Sequence, residues 1–175
     1  MLMWALIVIV ALIALPFLIG FLLPVRYEGR TVVEFDQTVQ HVWDALQDPN
    51  AHPMTGKMMK SVETQESTDG RPAWNEDMGR GEVIKVTTSV YEPPHRMTRE
   101  MASGSAYMMS RWDYELQPAG DGCRVTLTGR TDIGRGTWHT PLFRFMMVVG
   151  GGVKKGLDIQ LDMVASSLGA KTTRP

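Results

Sequence analysis

Hydrophobic and polar positions change their spacing four times along this chain, and each change marks the start of a new element or run of elements. From Met1 to Val25 there is no charged side chain; the first is Arg26. The run is apolar on every side and lacks the polar stripe of a surface helix. As a helix it reaches roughly 37 Å at about 1.5 Å per residue, and about 20 apolar residues suffice to cross a bilayer's hydrocarbon. A secretory signal would begin with basic residues and end near an Ala-x-Ala site. Here no Lys or Arg precedes the run, which ends Phe21-Leu22-Leu23-Pro24-Val25-Arg26. A buried core helix would be shorter and would carry a polar face. The pattern therefore predicts a retained transmembrane anchor over residues 1–25, with a cleaved signal and then a core helix as the competing readings. Pro16 and Gly20 fit the anchor, since membrane helices tolerate both.

After the anchor the period falls to two. RYEGRTVVEFD alternates as a strand, with Val33 and Phe35 opposite Val32 and Glu34. TVQHVWDALQDPN then takes helical spacing through Val39, Val42, Trp43 and Leu46, with Thr38 as N-cap, Trp43 turned inward and Asp48-Pro49-Asn50 ending the turn. From Met58 six further runs alternate: MMKSVETQES, PAWNEDM, GEVIKVTTSVYEPP, HRMTREMAS, YMMSRWDYELQP and GCRVTLTGRTDI. Turn chemistry separates them at Asp69-Gly70, Gly79-Arg80-Gly81, Pro93-Pro94, Ser103-Gly104 and Gly120-Asp121-Gly122. This is an antiparallel meander. Ile84, Val86, Thr88 and Val90 share one face of their strand, as do Trp112, Tyr114 and Leu116, and further on Val125 and Leu127. Lys85, Arg111, Asp113, Glu115 and Arg124 take the other side, so one face is wet and the other must be covered. The cover is the tail, where Leu142, Phe145, Val149, Val153, Leu157, Leu161, Val164 and Leu168 step by three or four. Gly150, Gly151 and Gly152 interrupt that stripe, and a kink is expected there, at about 1 kcal/mol per Gly relative to Ala.

Composition narrows the function. Of 175 residues, about 150 follow the anchor, enough for one domain with a single core; it is placed at 26–170, with a disordered tail at 171–175. Eighteen Lys plus Arg against 19 Asp plus Glu give a net charge of -1, which leaves no electrostatic footprint for nucleic acid. Arg26 and Arg30 follow the anchor and no basic residue precedes it, which puts the domain on the cytoplasmic side. The lone Cys123 excludes an internal disulfide and a thiolate metal site. Thirteen Met beside five Trp suit a surface that adapts to an irregular apolar shape, or equally a core with its gaps filled.

Strand, short helix with a buried Trp, six strands and a long final helix is the order of the helix-grip fold, an α+β architecture. The local phrases resemble the START-like (SRPBCC) superfamily of polyketide cyclase and dehydrase type. TVQHVWDALQDPNAHP is similar to its opening helix and Asp-Pro turn, and YEPPHRM to its Pro-Pro-x-Arg turn. RWDYELQPAGDGCRVTLTG is similar to its Trp-x-Tyr-x-Leu and Gly-x-x-Val-Thr-Leu-Thr strands, and TPLFRF to its approach to the last helix. The resemblance spans about residues 30 to 168 and implies a curved antiparallel sheet of about seven strands wrapping a long C-terminal helix, after one transmembrane helix. It implies an apolar or amphipathic ligand, since members bind lipids, isoprenoid quinones, polyketides and hormones. The glycine triplet and the Met-rich strands depart from the usual member.

Little in the chain carries chemistry outright. His41, His52, His95 and His139 are scattered without a ligand spacing, so neither metal nor cofactor is expected. No nucleophile elbow or phosphate loop is present. Glu76 and Asp77 are neighbours on a strand and point to opposite faces, so at most one enters the implied cavity. Arg99 runs in phase with Met97 and Met101; if they line the cavity, it points inward, where a guanidinium needs polar partners. If the strand lies at an edge, Arg99 reaches solvent instead. On the inward reading Arg99 orients a ligand oxygen, helped by Ser110 or Tyr114, and Trp43, Trp74, Met97, Met101, Trp112, Phe143 and Met146 form the apolar lining. Those positions are core whether or not the fold is hollow. Three functions follow in order: a membrane-anchored binder of a lipid-, isoprenoid- or quinone-like molecule; an accessory subunit contacting other membrane proteins, with Gly20 and the triplet permitting close approach; and a cyclase- or dehydratase-type enzyme, ranked last for want of an acid and base pair.

Overall fold

The structure is a computed structural model that describes all residues except 1, 50–58, 66–68, 80, 104–107 and 135–136, together with the side chains of 2, 5–9, 11 and 13. His52 and Arg80 thus lie outside the described residues. The order is α1 Leu2–Leu22, β1 Arg26–Phe35, α2 Val39–Gln47, β2 Ser61–Gln65, β3 Ala73–Gly79, β4 Glu82–Glu92, β5 Arg96–Ser103, β6 Met108–Ala119, β7 Gly122–Ile133, α3 Thr140–Val149, α4 Gly152–Leu168 and β8 Thr172–Thr173. The strands form one antiparallel sheet ordered β2-β3-β4-β5-β6-β7-β1-β8. Consecutive runs of period two joined by short turns must pair with their neighbours, and β1 completes the sheet by pairing along its whole length with β7, from Arg26↔Asp132 to Phe35↔Cys123. This is the expected helix-grip arrangement with eight strands in place of seven. The tail expected to be disordered supplies the eighth: Thr172 and Thr173 pair with Phe35 and Glu34, and Arg174 donates to Asp162 at 2.6 Å.

The core lies between the sheet and α4. Val33, Phe35, Leu116, Val125 and Leu127 meet Val153, Leu157, Leu161 and Val164 of α4, and Val42, Trp43 and Leu46 of α2 close one end. Helix α2 starts where Thr38 Oγ1 accepts from the His41 amide at 3.3 Å, the predicted cap. A pair of glycines sets how closely α4 lies. Gly29 and Gly129 face each other across β1 and β7; a Cβ at Gly29 would stand 2.7 Å from Lys154 N, and one at Gly129 2.7 Å from a Leu157 methyl. Their missing side chains form the dent into which the first turns of α4 settle, and Asp158 of α4 holds the contact by accepting from Thr31 Oγ1 at 2.6 Å.

Two expectations about periodicity are corrected. The register of β4 against β5 shifts between Thr88 and Val90, so that a bulge passes the inward role from Val90 to Tyr91, which packs on Trp43 with ring centroids 5.5 Å apart. The final apolar stripe is carried by two helices, because Gly151 and Gly152 adopt φ of 95° and 66°, a left-handed conformation that ends an α-helix. The stripe holds in α4 and fails in α3, whose buried residues are Thr140, Pro141 and Arg144.

Helix α1 packs against α3. Phe17 stacks on Trp138 at 6.2 Å and 13°, and a Cβ at Gly20 would overlap the Pro141 carbonyl. Among the described residues no helix is long and apolar enough to cross a membrane. Helix α1 is one uninterrupted helix of 21 residues without a charged residue in its sequence.

Candidate functional site

Between the concave face of the sheet and α4 lies a cavity of about 250 Å³. The strands contribute Trp74, Glu76, Met78, Ile84, Val86, Arg99, Met101, Trp112 and Tyr114; α4 contributes Gly156, Ile159, Gln160 and Met163, and Met59 closes one side. Period two explains the sheet's share. Trp74, Glu76 and Met78 are alternate residues of β3, Ile84 and Val86 of β4, Arg99 and Met101 of β5, and Trp112 and Tyr114 of β6. Each set therefore projects to one face.

Arg99 organises the polar end. Strand β5 is internal, so the guanidinium cannot reach solvent around an edge, and the residue is 3% exposed. Its Nη2 donates to the Leu46 carbonyl at the end of α2, and the group lies 4.7 Å from the Trp74 ring centre and 5.4 Å from that of Tyr114. Two aromatic faces of this kind stabilise a cation by roughly 0.5–2 kcal/mol each. Its Nε is buried without a hydrogen-bond partner among the described residues, and the Tyr114 hydroxyl, also buried, lies against the guanidinium and interacts with it. Glu76 adds a carboxyl that accepts from the Trp74 indole at 2.9 Å. Burial works against every charge in this group. It lowers the pKa of Arg99 and raises that of Tyr114, while the opposite charge on each neighbour partly offsets it. Burial also raises the Glu76 pKa, against the pull of the Trp74 hydrogen bond and of Arg99. The site is an apolar chamber with one donor-rich pole, a geometry that orients a molecule carrying a single polar end.

The candidates from the sequence separate cleanly. Trp74, Arg99, Met101, Trp112 and Tyr114 come together at the cavity. Trp43 and Met97 are packed in the core, where Gln47 Nε2 contacts the Met97 sulfur at 3.4 Å. Ser110 shares a hydrogen bond with Thr131 at 2.9 Å and is not in the lining. Phe143 and Met146 belong to α3, which lies outside the lining; Met146 is exposed. The break at Gly151 puts both on a helix separate from α4, which lines the cavity. Glu76 is the carboxylate of its pair that enters, while Asp77 turns outward to accept from the Gly79 amide at 2.7 Å. The sequence reading missed Met59, Met78, Gly156, Ile159, Gln160 and Met163, and placed Ile84 and Val86 on the covered face without assigning them to a lining. Gly156 carried a signal: a glycine inside a helix costs about 1 kcal/mol relative to Ala, and a Cβ there would meet nothing within 4 Å. The helix gives up stability at the point where a side chain would enter the chamber. Among the described residues no group of three His, Cys, Asp or Glu is placed to hold a metal ion.

A sequence profile described as polyketide cyclase / dehydrase and lipid transport matches residues 27–169. No curated protein sequence matches the chain. Among solved structures, Ara h 8.0201 superposes with a TM-score of 0.58 at 10% identity, over 82% of this chain and 99% of its own. Norcoclaurine synthase of Thalictrum flavum does so with 0.56 at 14% identity, over 83% and 96%. The di-domain ARO/CYC BexL from the BE-7585A biosynthetic pathway does so with 0.57 at 15% identity, over 82% of this chain and 50% of its own. At these identities the likeness is one of fold.

Proposed function

This chain belongs to the polyketide cyclase / dehydrase and lipid transport family, and on that premise we propose that it is a membrane-anchored binder of an apolar small molecule with one polar end, of lipid, isoprenoid or quinone type. The observation that carries the reading is the pairing of a chamber walled by Trp, Met and Ile with the buried Arg99 guanidinium at its pole, whose Nε has no hydrogen-bond partner among the described residues. A buried donor left unmatched costs about 1–3 kcal/mol, and a carbonyl or hydroxyl oxygen of a bound molecule removes that cost. The anchor is supported by Leu2–Leu22, which as a helix spans about 31 Å at about 1.5 Å per residue. Arg26 and Arg30 after it favour a cytoplasmic domain. Gentle detergent extraction of the full chain, followed by mass spectrometry of co-purifying small molecules, tests the reading; recurrent absence of any apolar molecule across several mild detergents overturns it.

A cyclase- or dehydratase-type enzyme is the second reading, favoured by Glu76. Burial helps this carboxyl keep its proton above the ordinary range, so it is a candidate acid beside the Tyr114 hydroxyl. Glu76→Gln with unchanged ligand capture and abolished product formation from a polyketide-like substrate supports it. The accessory-subunit reading loses its two footholds, since Gly20 is covered by Pro141 of the same chain and the glycine triplet serves to break the final helix.

A further inference from the structure

Helix α3 is built inside out. Its one charged residue, Arg144, is 2% exposed and turned into the protein, where Nη2 donates to the Ile133 carbonyl at 3.0 Å and the Gly134 carbonyl at 2.8 Å. Its outer face carries Met146, Val148 and Val149, all exposed, and Trp138 just before it is 79% exposed. A water-facing helix shows the reverse order, and a contiguous exposed apolar patch marks an interaction surface.

The other exposed large apolar residues fall in line. Among the described residues outside α1, they are Val83, Met109 and Ile159. Ile159 lines the cavity. Val83 lies in β4 next to the β3–β4 turn, and Met109 pairs with Asp132, itself opposite Arg26, the first residue of β1. Trp138 lies in the β7–α3 connection. Val83 and Met109, on the outer face of the sheet beside the exposed Arg26–Asp132 ion pair, and Trp138 therefore lie at one end of the sheet, the end at which α1 arrives. The cavity's methionine end is there too, since Met78 directly precedes Gly79 of that same turn, and Lys60, next to Met59, donates its amide to the Asp77 carbonyl.

We propose that α3 and this rim lie in the interfacial layer of a lipid bilayer, so that the cavity opens toward the lipid. The proposal rests on the anchor reading. Given an anchored α1, its packing on α3 through Phe17 with Trp138 and Gly20 with Pro141 makes the two apolar surfaces continuous, and the medium around one bathes the other. An outward apolar face with an inward charge is favoured in that medium, where the apolar area is removed from water. The chamber's size agrees: about 250 Å³ is smaller than the roughly 300–1,000 Å³ that encloses a drug-sized ligand, so a long tail would protrude, and at this end of the sheet it would protrude into lipid.

The test uses the full chain reconstituted in phosphatidylcholine–phosphatidylglycerol vesicles, with a fluorophore at Met146→Cys, Val149→Cys, Leu12→Cys or Gln117→Cys and quenchers placed at known depths on the lipids. Native Cys123 is buried and its thiol is pushed up to about 11, so it does not compete for label. The expected result is that positions 146 and 149 are quenched at a depth of roughly 5–10 Å into the headgroup–acyl boundary. Leu12 is expected to be quenched at the bilayer centre, and Gln117, at the far end of β6, not at all. If Leu12 is lipid-embedded but 146 and 149 match Gln117, the interfacial helix is overturned and the anchor stands. If Leu12 is also in water, the anchor fails and the proposal falls with it. Positions 146 and 149 shielded from both lipid and aqueous quenchers identify a protein contact, a second copy or another chain, and likewise overturn it.

Discussion

Replacing Arg99 with Met separates a residue kept for its ligand from one kept for the fold. The side chain of Met is comparable in length and joins Met101 in an already sulfur-rich wall. The substitution removes the charged hydrogen bond to the Leu46 carbonyl, about 1.5–3 kcal/mol, and two aromatic contacts of about 0.5–2 kcal/mol each. It also removes a buried guanidinium, whose desolvation costs several kcal/mol. These terms nearly cancel, so the change in stability is expected to stay within about 2 kcal/mol at pH 5. Glu76 makes the balance depend on pH. Its folded pKa is raised by burial and held down in part by Arg99, so without Arg99 it rises further. A carboxyl whose folded pKa exceeds its unfolded value contributes stability that is full below the unfolded pKa and is lost as pH rises through the folded one. Arg99→Met is therefore expected to be less stable relative to the parent at pH 8 than at pH 5, by about 1.4 kcal/mol per unit of added shift, and adding Glu76→Gln is expected to remove the difference. Ligand recovered with the purified variant is expected to fall about 10-fold or more, the equivalent of one charged contact. The assays are denaturant unfolding followed by circular dichroism at the two pH values and mass spectrometry of the bound fraction. A loss above about 4 kcal/mol that is equal at both pH values, with normal ligand content in the surviving folded protein, would refute the reasoning and make Arg99 a structural residue.

Three further outcomes follow from the geometry. Gly156→Ala is expected to raise stability by up to about 1 kcal/mol through helix propensity, whereas Gly156→Leu is expected to keep the fold but fill the chamber and lower ligand recovery; thermal unfolding and mass spectrometry together check both. Gly29→Ala forces α4 off its dent, because the new methyl meets the Lys154 backbone at 2.7 Å; overpacking of this kind costs about 1–3 kcal/mol and is read as a lower unfolding midpoint. Cys123 is buried with a thiol pKa of about 11, so at pH 8 a maleimide is expected to modify it slowly in the folded protein and quickly in denaturant, with equal rates arguing against the β7 packing.

Alternation from β1 to β7 was legible because a strand with one wet face must repeat every two residues, and from β2 to β7 consecutive strands are joined by turns rich in glycine or proline that leave few other pairings. Arg99 was legible only as a phase: in step with Met97 and Met101 it points inward if its strand is internal, and the position of β5 between β4 and β6 makes it so. The bulge at Thr88–Val90 could not be read, since one inserted residue leaves the composition unchanged while it reverses every side chain beyond it. Gly29 and Gly129 could not be paired, as they are 100 residues apart and meet only through the β1–β7 register.

By itself the sequence determined the periods: an uncharged leading helix, a meander with a covered face and a final helical stripe. Those depend on local spacing, which any neighbour must respect. Only tertiary structure decided that the stripe ends at Gly151, that α3 turns Arg144 inward and its methyl groups outward, and that Glu76 joins Arg99 and Tyr114 at one pole of a hollow. Each of these depends on which surface a helix meets after a turn, and that is fixed by contacts between residues distant in the chain.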